Sequence, residues 1–453
     1  MSFFTMYSTI LKSFALLCSL GFYGDSIEIT FYGGVQEVGR SSVFLNNNNK
    51  NLLLDCGIKL GEKTEYPLFE DEDLKKIQNI FITHAHLDHS GYLPHIYARG
   101  FHPNIYATKP TRDLLGVLLS DYRKIHKEEH FTQKHVDQVL QSIKIVEPQD
   151  GLQQPFNCNL YNAGHVLGSQ MIKINESGGI TYTGDICMRK TRVLDPCERN
   201  ISSKTLIIEN TYGSKDGIIP SFKESYSKLV NLINKTLKDG GFVLIPSFAV
   251  GRAQEILLAL DDYMRSGQLQ ESKIYVEGMI NKSMRIYRHN AIYANDDIKR
   301  RILMSEDDPF KSKYFHQSRS KDRKDVLSEP CIVVSTSGML SGGPVLFYLQ
   351  KLASDPKSTL IFAGYQGEGT LGKKILDGER LVQIDEQQID IKMKVDNIRI
   401  SGHADYNELL QFIKGVKGLE KVFLVHGENT SLKDELEKKY EVIIPSPRET
   451  FNV

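Results

Sequence analysis

The stretch Thr83-His84-Ala85-His86-Leu87-Asp88-His89-Ser90 places four side chains with metal-ligating chemistry within six residues, directly after an apolar run. Ile80 and Ile82 alternate with Asn79 and Phe81 as a half-buried strand would, so the cluster falls at a strand's carboxyl end, where a loop can gather side chains. His84 and His86 stand two apart and can face one way, while Asp88 and His89 open a helix and can face another. The spacing therefore suits two ions. Neutral imidazoles with carboxylates suit zinc, and two metals ~3.5–4 Å apart clamp the attacking and leaving oxygens of a displacement. Three of only 13 histidines in 453 residues lie in this stretch, a density that a merely polar turn does not explain.

At 453 residues the chain exceeds one ordinary hydrophobic core, so two domains are expected. Lys plus Arg equals Asp plus Glu at 56 each, so no overall field recruits a polyanion and any nucleic acid must meet a local basic surface. The six cysteines contain no Cys-x-x-Cys pair, which argues against a zinc ribbon or a disulfide scaffold and fits a reducing cytoplasm. They read as buried packing residues. Residues 13–23 (SFALLCSLGFY) are apolar but lack a basic cluster before them and a small-x-small cleavage site, and they are too short to span a bilayer. Residues 1–26 thus read as an extension outside the core.

From Ile27 the chain reads as short strands and tight turns (IEITFYGG, SSVFL, an asparagine turn at 46–49, NLLLDCG), the pattern of a β-meander. A helix is expected through 93–97 and another over 111–126. Strands then end on Asn162-Ala163-Gly164-His165 and Tyr182-Thr183-Gly184-Asp185, so ligand-type residues recur at strand ends and convergence on one site explains them economically. From about Gly213, helices (222–237, 252–265) alternate with compact strands (242–245, 274–276, 331–335, 359–362), which implies a parallel sheet with helices on both faces. Residues 299–324 form a charged stretch without periodicity, expected as a solvated loop that could touch phosphates beside a cleft. After about Asn397 the strand-end pattern returns, with a strand over 398–400 before Ser401-Gly402-His403-Ala404-Asp405 and another over 422–425 before His426-Gly427-Glu428. An inserted second domain explains why the motifs resume only there.

HAHLDH, AGHVLGS around His165, TGDI around Asp185, SGHAD at 401–405 and VHGE at 425–428 together resemble the metallo-β-lactamase superfamily. IENTYG at 208–213, PSFAVGRAQE at 246–255 and STSGM at 335–339 resemble its β-CASP branch of nucleic-acid nucleases, over nearly the whole chain from residue 27. That branch includes the endonuclease subunit of the cleavage and polyadenylation specificity factor, its archaeal relatives and bacterial RNase J. The resemblance implies an α/β fold: an αβ/βα sandwich (27–212 and 397–453) interrupted by a β-CASP domain (213–396), with the active site in the cleft between them. It implies that His84, His86 and His165 hold one zinc, that Asp88, His89 and His426 hold a second, and that Asp185 bridges them. Asp55 would orient ligands. His403, backed by Glu209, would protonate the leaving oxygen, while Ser247, Arg252, Ser335 and Ser337 would meet phosphates and Tyr212 and Tyr365 would stack on bases.

The implied function is a cytoplasmic, zinc-dependent ribonuclease in RNA processing or decay, cleaving endonucleolytically, 5′-to-3′ exonucleolytically or both. Attack by a metal hydroxide would leave 5′-phosphate and 3′-hydroxyl ends. A homodimer or an RNA-processing complex is the expected assembly, with no membrane. Two alternatives stand: a small-molecule hydrolase, which would lack the insertion, and an inactive scaffold subunit, which would lack ligands. DNA-directed members typically carry valine where this chain has His426, so histidine favours RNA. Some relatives carry KH domains before the core or an extra domain after it. This chain opens near the core and stops soon after His426, so further RNA affinity or assembly contacts are expected either to come from elsewhere or to be missing.

Overall fold

Period-two patterning of Ile, Phe, Val and Leu along the first strands sends one set of side chains inward. The computed structural model describes residues 26–47, 50–61, 63–126, 130–305 and 307–453. The extension through residue 25, with Cys18, and half of the asparagine turn lie outside the described residues. Glu28–Gly33, Ser42–Asn47 and Lys50–Leu54 form the expected antiparallel meander. The chain then turns parallel through Asn79–Phe81, Asn104–Ala107 and Ile143–Ile145, and Thr450–Asn452 returns beside Glu28–Gly33 to give a seven-stranded sheet. A second, six-stranded sheet has the order Glu441–Ile443, Lys421–Val425, Thr205–Glu209, Ile180–Tyr182, Gln170–Ile174, Cys158–Asn162.

The two sheets face each other through one core, in which Phe31, Leu45, Leu52 and Phe81 of the first meet Ile172, Tyr182, Ile207 and Phe423 of the second. The Phe31 and Phe423 rings lie 5.2 Å apart across the seam. Each such side chain contributes about 1.5–3 kcal/mol on burial, which fixes the sheets against each other. On the outer faces, Leu114, Leu115 and Val136 cover Ile80 and Ile105, and Leu409, Phe412 and Leu432 cover Leu206, Ile208 and Leu424. These layers form the expected αβ/βα sandwich.

A third sheet of six strands, every neighbour parallel, runs Phe315–Gln317, Ile274–Glu277, Ile332–Ser335, Val243–Pro246, Thr359–Phe362, Lys394–Asn397. Val243 and Ile245 point into one apolar layer and Leu244 into another, as alternation along a strand requires, so helices cover both faces. Two expectations are corrected. Residues 398–400 are not a strand: the preceding Lys394–Asn397 pairs with Thr359–Phe362, and the buried Ile398 and Ile400 pack in the linker that leaves the third sheet. Nor is 299–324 a loop. The helix Asp296–Met304, the edge strand Phe315–Gln317 and the helix Arg323–Val326 organise it, and some of its charges are paired, Arg301 with Asp307 and Arg323 with Glu277, both at distances below 2.9 Å. Apolar periodicity is hidden there because these short elements bury at most one residue each. Among the described residues no helix is long and apolar enough to cross a membrane, and the five described cysteines are buried and free.

Candidate metal centre and active site

Parallel strands of both sheets deliver their carboxyl ends to one edge of the sandwich, and turns there release polar side chains into a common space. Asp55 follows Lys50–Leu54, His84 follows Asn79–Phe81, Asp185 follows Ile180–Tyr182, Glu209 ends its strand and His426 follows Lys421–Val425. His86 caps the short helix Leu87–Ser90, which carries Asp88 and His89. Asp55 and His426 adopt left-handed backbone angles, φ 60° and 54°, a conformation that non-glycine residues hold only where the surroundings demand it. Gly57 lets the strand-end loop lie against that helix, since a Cβ there would sit 1.7 Å from the Asp88 carbonyl oxygen.

The ligand-type side chains converge. Single donor atoms of His84, His86, His165 and Asp185 lie within 4.8 Å of one another, as do those of His89, Asp185 and His426, and those of His84, Asp88 and His89. Asp185 stands between the groups: Oδ2 is 3.6 Å from Nε2 of both His84 and His165, while Oδ1 is 3.3 Å from His89 Nε2 and 3.6 Å from His426 Nδ1. Asp88 Oδ2 is 3.4 Å from His426 Nε2.

Each imidazole has one nitrogen engaged outward. His89 Nδ1 donates to Asp55 Oδ2 at 2.7 Å, and His165 Nδ1 to the Gly402 carbonyl at 2.8 Å. His84 Nδ1 meets Thr83 Oγ1 at 3.1 Å, and that hydroxyl in turn donates to Asp55. His426 Nδ1 meets Thr211 Oγ1 at 3.1 Å. His86 is the exception in orientation: its Nε2 faces the Val250 carbonyl and its Nδ1 faces His165 Nε2 at 3.1 Å. Several of the inward atoms make no hydrogen bond within the protein. His84 Nε2, His89 Nε2, His426 Nε2 and Asp185 Oδ1 are buried and accept or donate no hydrogen bond. Buried polar atoms in this condition cost free energy unless something is bound, and inward lone pairs on neutral imidazoles beside carboxylates are the donor set zinc takes.

Electrostatics favour the neutral imidazole at three of the histidines but not at His89, where burial alone would lower the pKa and the Asp185 and Asp55 carboxylates outweigh it, holding it well above the usual histidine range. Burial, reinforced by neighbouring imidazoles, holds His84 and His165 well below the usual histidine range, and burial also lowers His86. Burial alone would raise Asp185, but His89, His426 and His403 hold it well below the usual carboxylate range. Asp55 anchors the arrangement. Fully buried, it accepts the Thr83 N–H and hydroxyl at 2.8 Å each, His89 Nδ1 at 2.7 Å and the Tyr182 hydroxyl at 2.9 Å. Asp55→Ala would orphan four buried donors, each costing ~1–3 kcal/mol. We expect the unfolding free energy to fall by at least ~3 kcal/mol in denaturant titration, and a loss below ~1 kcal/mol would show that Asp55 supports nothing.

Beside the cluster, His403 Nδ1 lies 2.9 Å from Glu209 Oε2 and 3.9 Å from Asp185 Oδ2. Burial pulls the His403 pKa down, yet Glu209 and Asp185 outweigh it and raise it to about 9. The other Glu209 oxygen accepts the Ile186 N–H at 2.6 Å, so one carboxylate ties His403 to the loop bearing Asp185. Arg189, which sequence reading did not single out, reaches the His403 carbonyl at 3.3 Å and Glu408 at 3.1 Å. Thr83 and Thr211 stood inside quoted motifs, and only their contacts give them a role.

The four residues read as phosphate contacts divide by exposure. Ser247 and Ser335 are buried, and their hydroxyls donate to the neighbouring Phe248 and Thr336 carbonyls at 3.3 and 3.4 Å. Ser337 is half-buried, with its hydroxyl on the Gly342 carbonyl at 3.1 Å. Arg252 is half-buried and its Nε has no partner. Tyr212 lies edge-on to His403 at 5.9 Å between ring centres, and Tyr365 is 47% exposed, free to meet a planar group.

Three family models match the chain in succession: the metallo-β-lactamase superfamily over residues 35–231, the β-CASP domain over 253–375, and a Zn-dependent metallo-hydrolase RNA specificity domain over 388–445. A relative from Methanocaldococcus jannaschii, an RNase J-like protein, is 38% identical over 406 residues, covering 88% of this chain and 92% of its own. The chain belongs to the β-CASP branch of the metallo-β-lactamase superfamily. It is a hydrolytic enzyme of that branch. The transcription termination factor FttA of Methanothermobacter thermautotrophicus is 37% identical over 436 residues, covering 90% of this chain and 68% of that protein. Its counterpart from Lokiarchaeum is 36% identical over 448 residues. The β-CASP enzyme also shares its fold with a protein of unknown function from Enterococcus faecalis, with a TM-score of 0.59 at 16% identity over 94% of this chain and 100% of the other.

Proposed function

We propose that this β-CASP enzyme is a dinuclear zinc ribonuclease. The observation that carries the reading is a cluster of buried, convergent donor atoms, four of which make no hydrogen bond, set directly beside the His403–Glu209 pair. His84, His86 and His165 would hold one zinc, Asp88, His89 and His426 the other, with one Asp185 oxygen for each. Zinc bound there would acidify a water and offset charge developing on a phosphate.

The protein's own groups do the remaining work. Asp55, directly and through Thr83, holds His89 and His84 in the tautomer that turns Nε2 inward. Protonated His403 would give its proton from Nε2 to the departing ribose 3′-oxygen, with Glu209 stabilising the cation through Nδ1. Cleavage would leave a 3′-hydroxyl and a 5′-phosphate. Arg252 and Ser337, open on the third sheet's side, would seat flanking phosphates, while Ser247 and Ser335 would act through the turns they brace. Tyr365 and Tyr212 would stack against bases.

RNA as the substrate class is supported by the RNA specificity domain and by the names of the relatives. The inserted domain would span about 213–396. Free, buried cysteines among the described residues fit a cytoplasmic, reducing compartment, and the assembly expected of such an enzyme is a homodimer or an RNA-processing complex. The test uses one RNA labelled at either end and a matched DNA. Internal fragments from both labels mean an endonuclease, and mononucleotides released first from the 5′ label mean a 5′-to-3′ exonuclease. Equal rates on DNA would remove the RNA assignment.

A further inference from the structure

The loop after Val243–Pro246 belongs to the third sheet, yet it touches the metal centre built by the other two. The Val250 carbonyl accepts from His86 Nε2 at 3.4 Å, and the Nδ1 of that same ring looks inward at His165. Every other histidine of the cluster is supported from within the sandwich, through Asp55, Thr83, Thr211 or Gly402. His86 alone depends on the inserted segment.

What fixes that carbonyl is a single side chain. Gln254, fully buried in the first turn of the helix Arg252–Arg265, grips the loop on both sides of Val250. Its Oε1 accepts the Gly251 N–H at 2.8 Å and its Nε2 donates to the Ala249 carbonyl at 3.0 Å. Gly251, at φ +85°, packs so closely on the sandwich that a Cβ would stand 2.8 Å from Val166 Cγ1, next to His165. The Tyr287 hydroxyl completes the seat by accepting the Leu167 N–H at 3.4 Å. Two amide contacts, one to each peptide group flanking the Val250 Cα, leave the Val250 carbonyl little freedom to rotate away from His86.

We propose that Gln254 is a positioning residue of the metal centre: it locks the Val250 carbonyl, which orients the His86 ring and so tunes the zinc held by His84, His86 and His165. The inference rests on the zinc reading above. Its consequence is that one of two ions reports how the inserted domain is seated, whereas the ion of Asp88, His89 and His426 does not.

The test is Gln254→Met, which keeps the side chain's length and removes both amide contacts. Zinc affinity is measured by competition with a chromogenic chelator for the parent, Gln254→Met, His86→Ala and the double variant. One ion should bind ~10–100-fold more weakly in Gln254→Met, the usual effect of losing a group that orients a ligand. The second ion should be unchanged, and Gln254→Met should add nothing in the His86→Ala background. Equal weakening of both ions, unchanged affinity, or an undiminished effect without His86 would each overturn the proposal. In the parent, ¹⁵N-histidine spectra should show a protected His86 Nε2 proton, so the contact is tested even should Gln254→Met not fold, and a freely exchanging proton there would refute it. A parent that binds no zinc removes the metal reading and this inference together. A parent that binds two ions indifferent to Gln254 removes only the inference.

Discussion

Asp185→Ala is expected to lower hydrolysis by ~10³-fold or more and to bring zinc well below two ions per chain. This exceeds the ~10–100-fold cost of losing a group that merely orients a ligand. Its two oxygens face different donor groups, Oδ2 toward His84 and His165 and Oδ1 toward His89 and His426. In the proposed ligand assignment any single histidine serves one ion. Under the two-zinc reading, removing Asp185 takes a donor from both ions and removes the negative charge between them, so that their mutual repulsion goes unshielded. Strong chelation should likewise abolish activity in the parent, and added zinc should restore it. Elemental analysis decides the matter: Asp185→Ala with the parent's zinc content, or full activity in a thoroughly metal-free sample, would rule out the bridging role.

His403→Ala should separate the proton donor from the ligands. The variant should keep its zinc and bind RNA nearly as the parent does, while turnover falls by ~10²–10⁴, the worth of a positioned general acid. A substrate whose leaving group needs no protonation should recover most of the loss. His426→Ala, by contrast, should lose metal and activity together. Glu209→Gln should be milder than His403→Ala, because an amide can still accept the Ile186 N–H through Oε1 but no longer stabilises a cationic His403. Zinc loss in His403→Ala, or failure of the better leaving group to rescue it, would make His403 a ligand or a structural residue.

Much of this was legible in the linear chain because catalytic metal chemistry constrains residue type and local spacing. HAHLDH, the recurrent Gly beside His or Asp at strand ends, and the alternation of helices and strands after Gly213 each follow from short-range rules. They were enough for the parallel sheet of the inserted segment and for the convergence of ligand-type residues at strand ends, while the αβ/βα sandwich and the assignment of each ligand were implied by the resemblance to the family. Local rules failed where elements are short and stabilised from outside. The strand expected over 398–400 lies instead at Lys394–Asn397, because pairing with Thr359–Phe362 decides it, and the charged segment 299–324 is organised by ion pairs with distant partners.

The sequence by itself determined which residues can bind a cation and in which order strands would present them, since ligand chemistry and backbone periodicity are properties of neighbours in the chain. Only the tertiary structure decided which nitrogen of each imidazole turns inward, that Asp55 braces two histidines at once, that each Asp185 oxygen faces its own group, and that His86 leans on a carbonyl more than 160 residues away. Orientation of a ring is set by the partner on its far side, and in this protein that partner is brought there by the packing of three sheets.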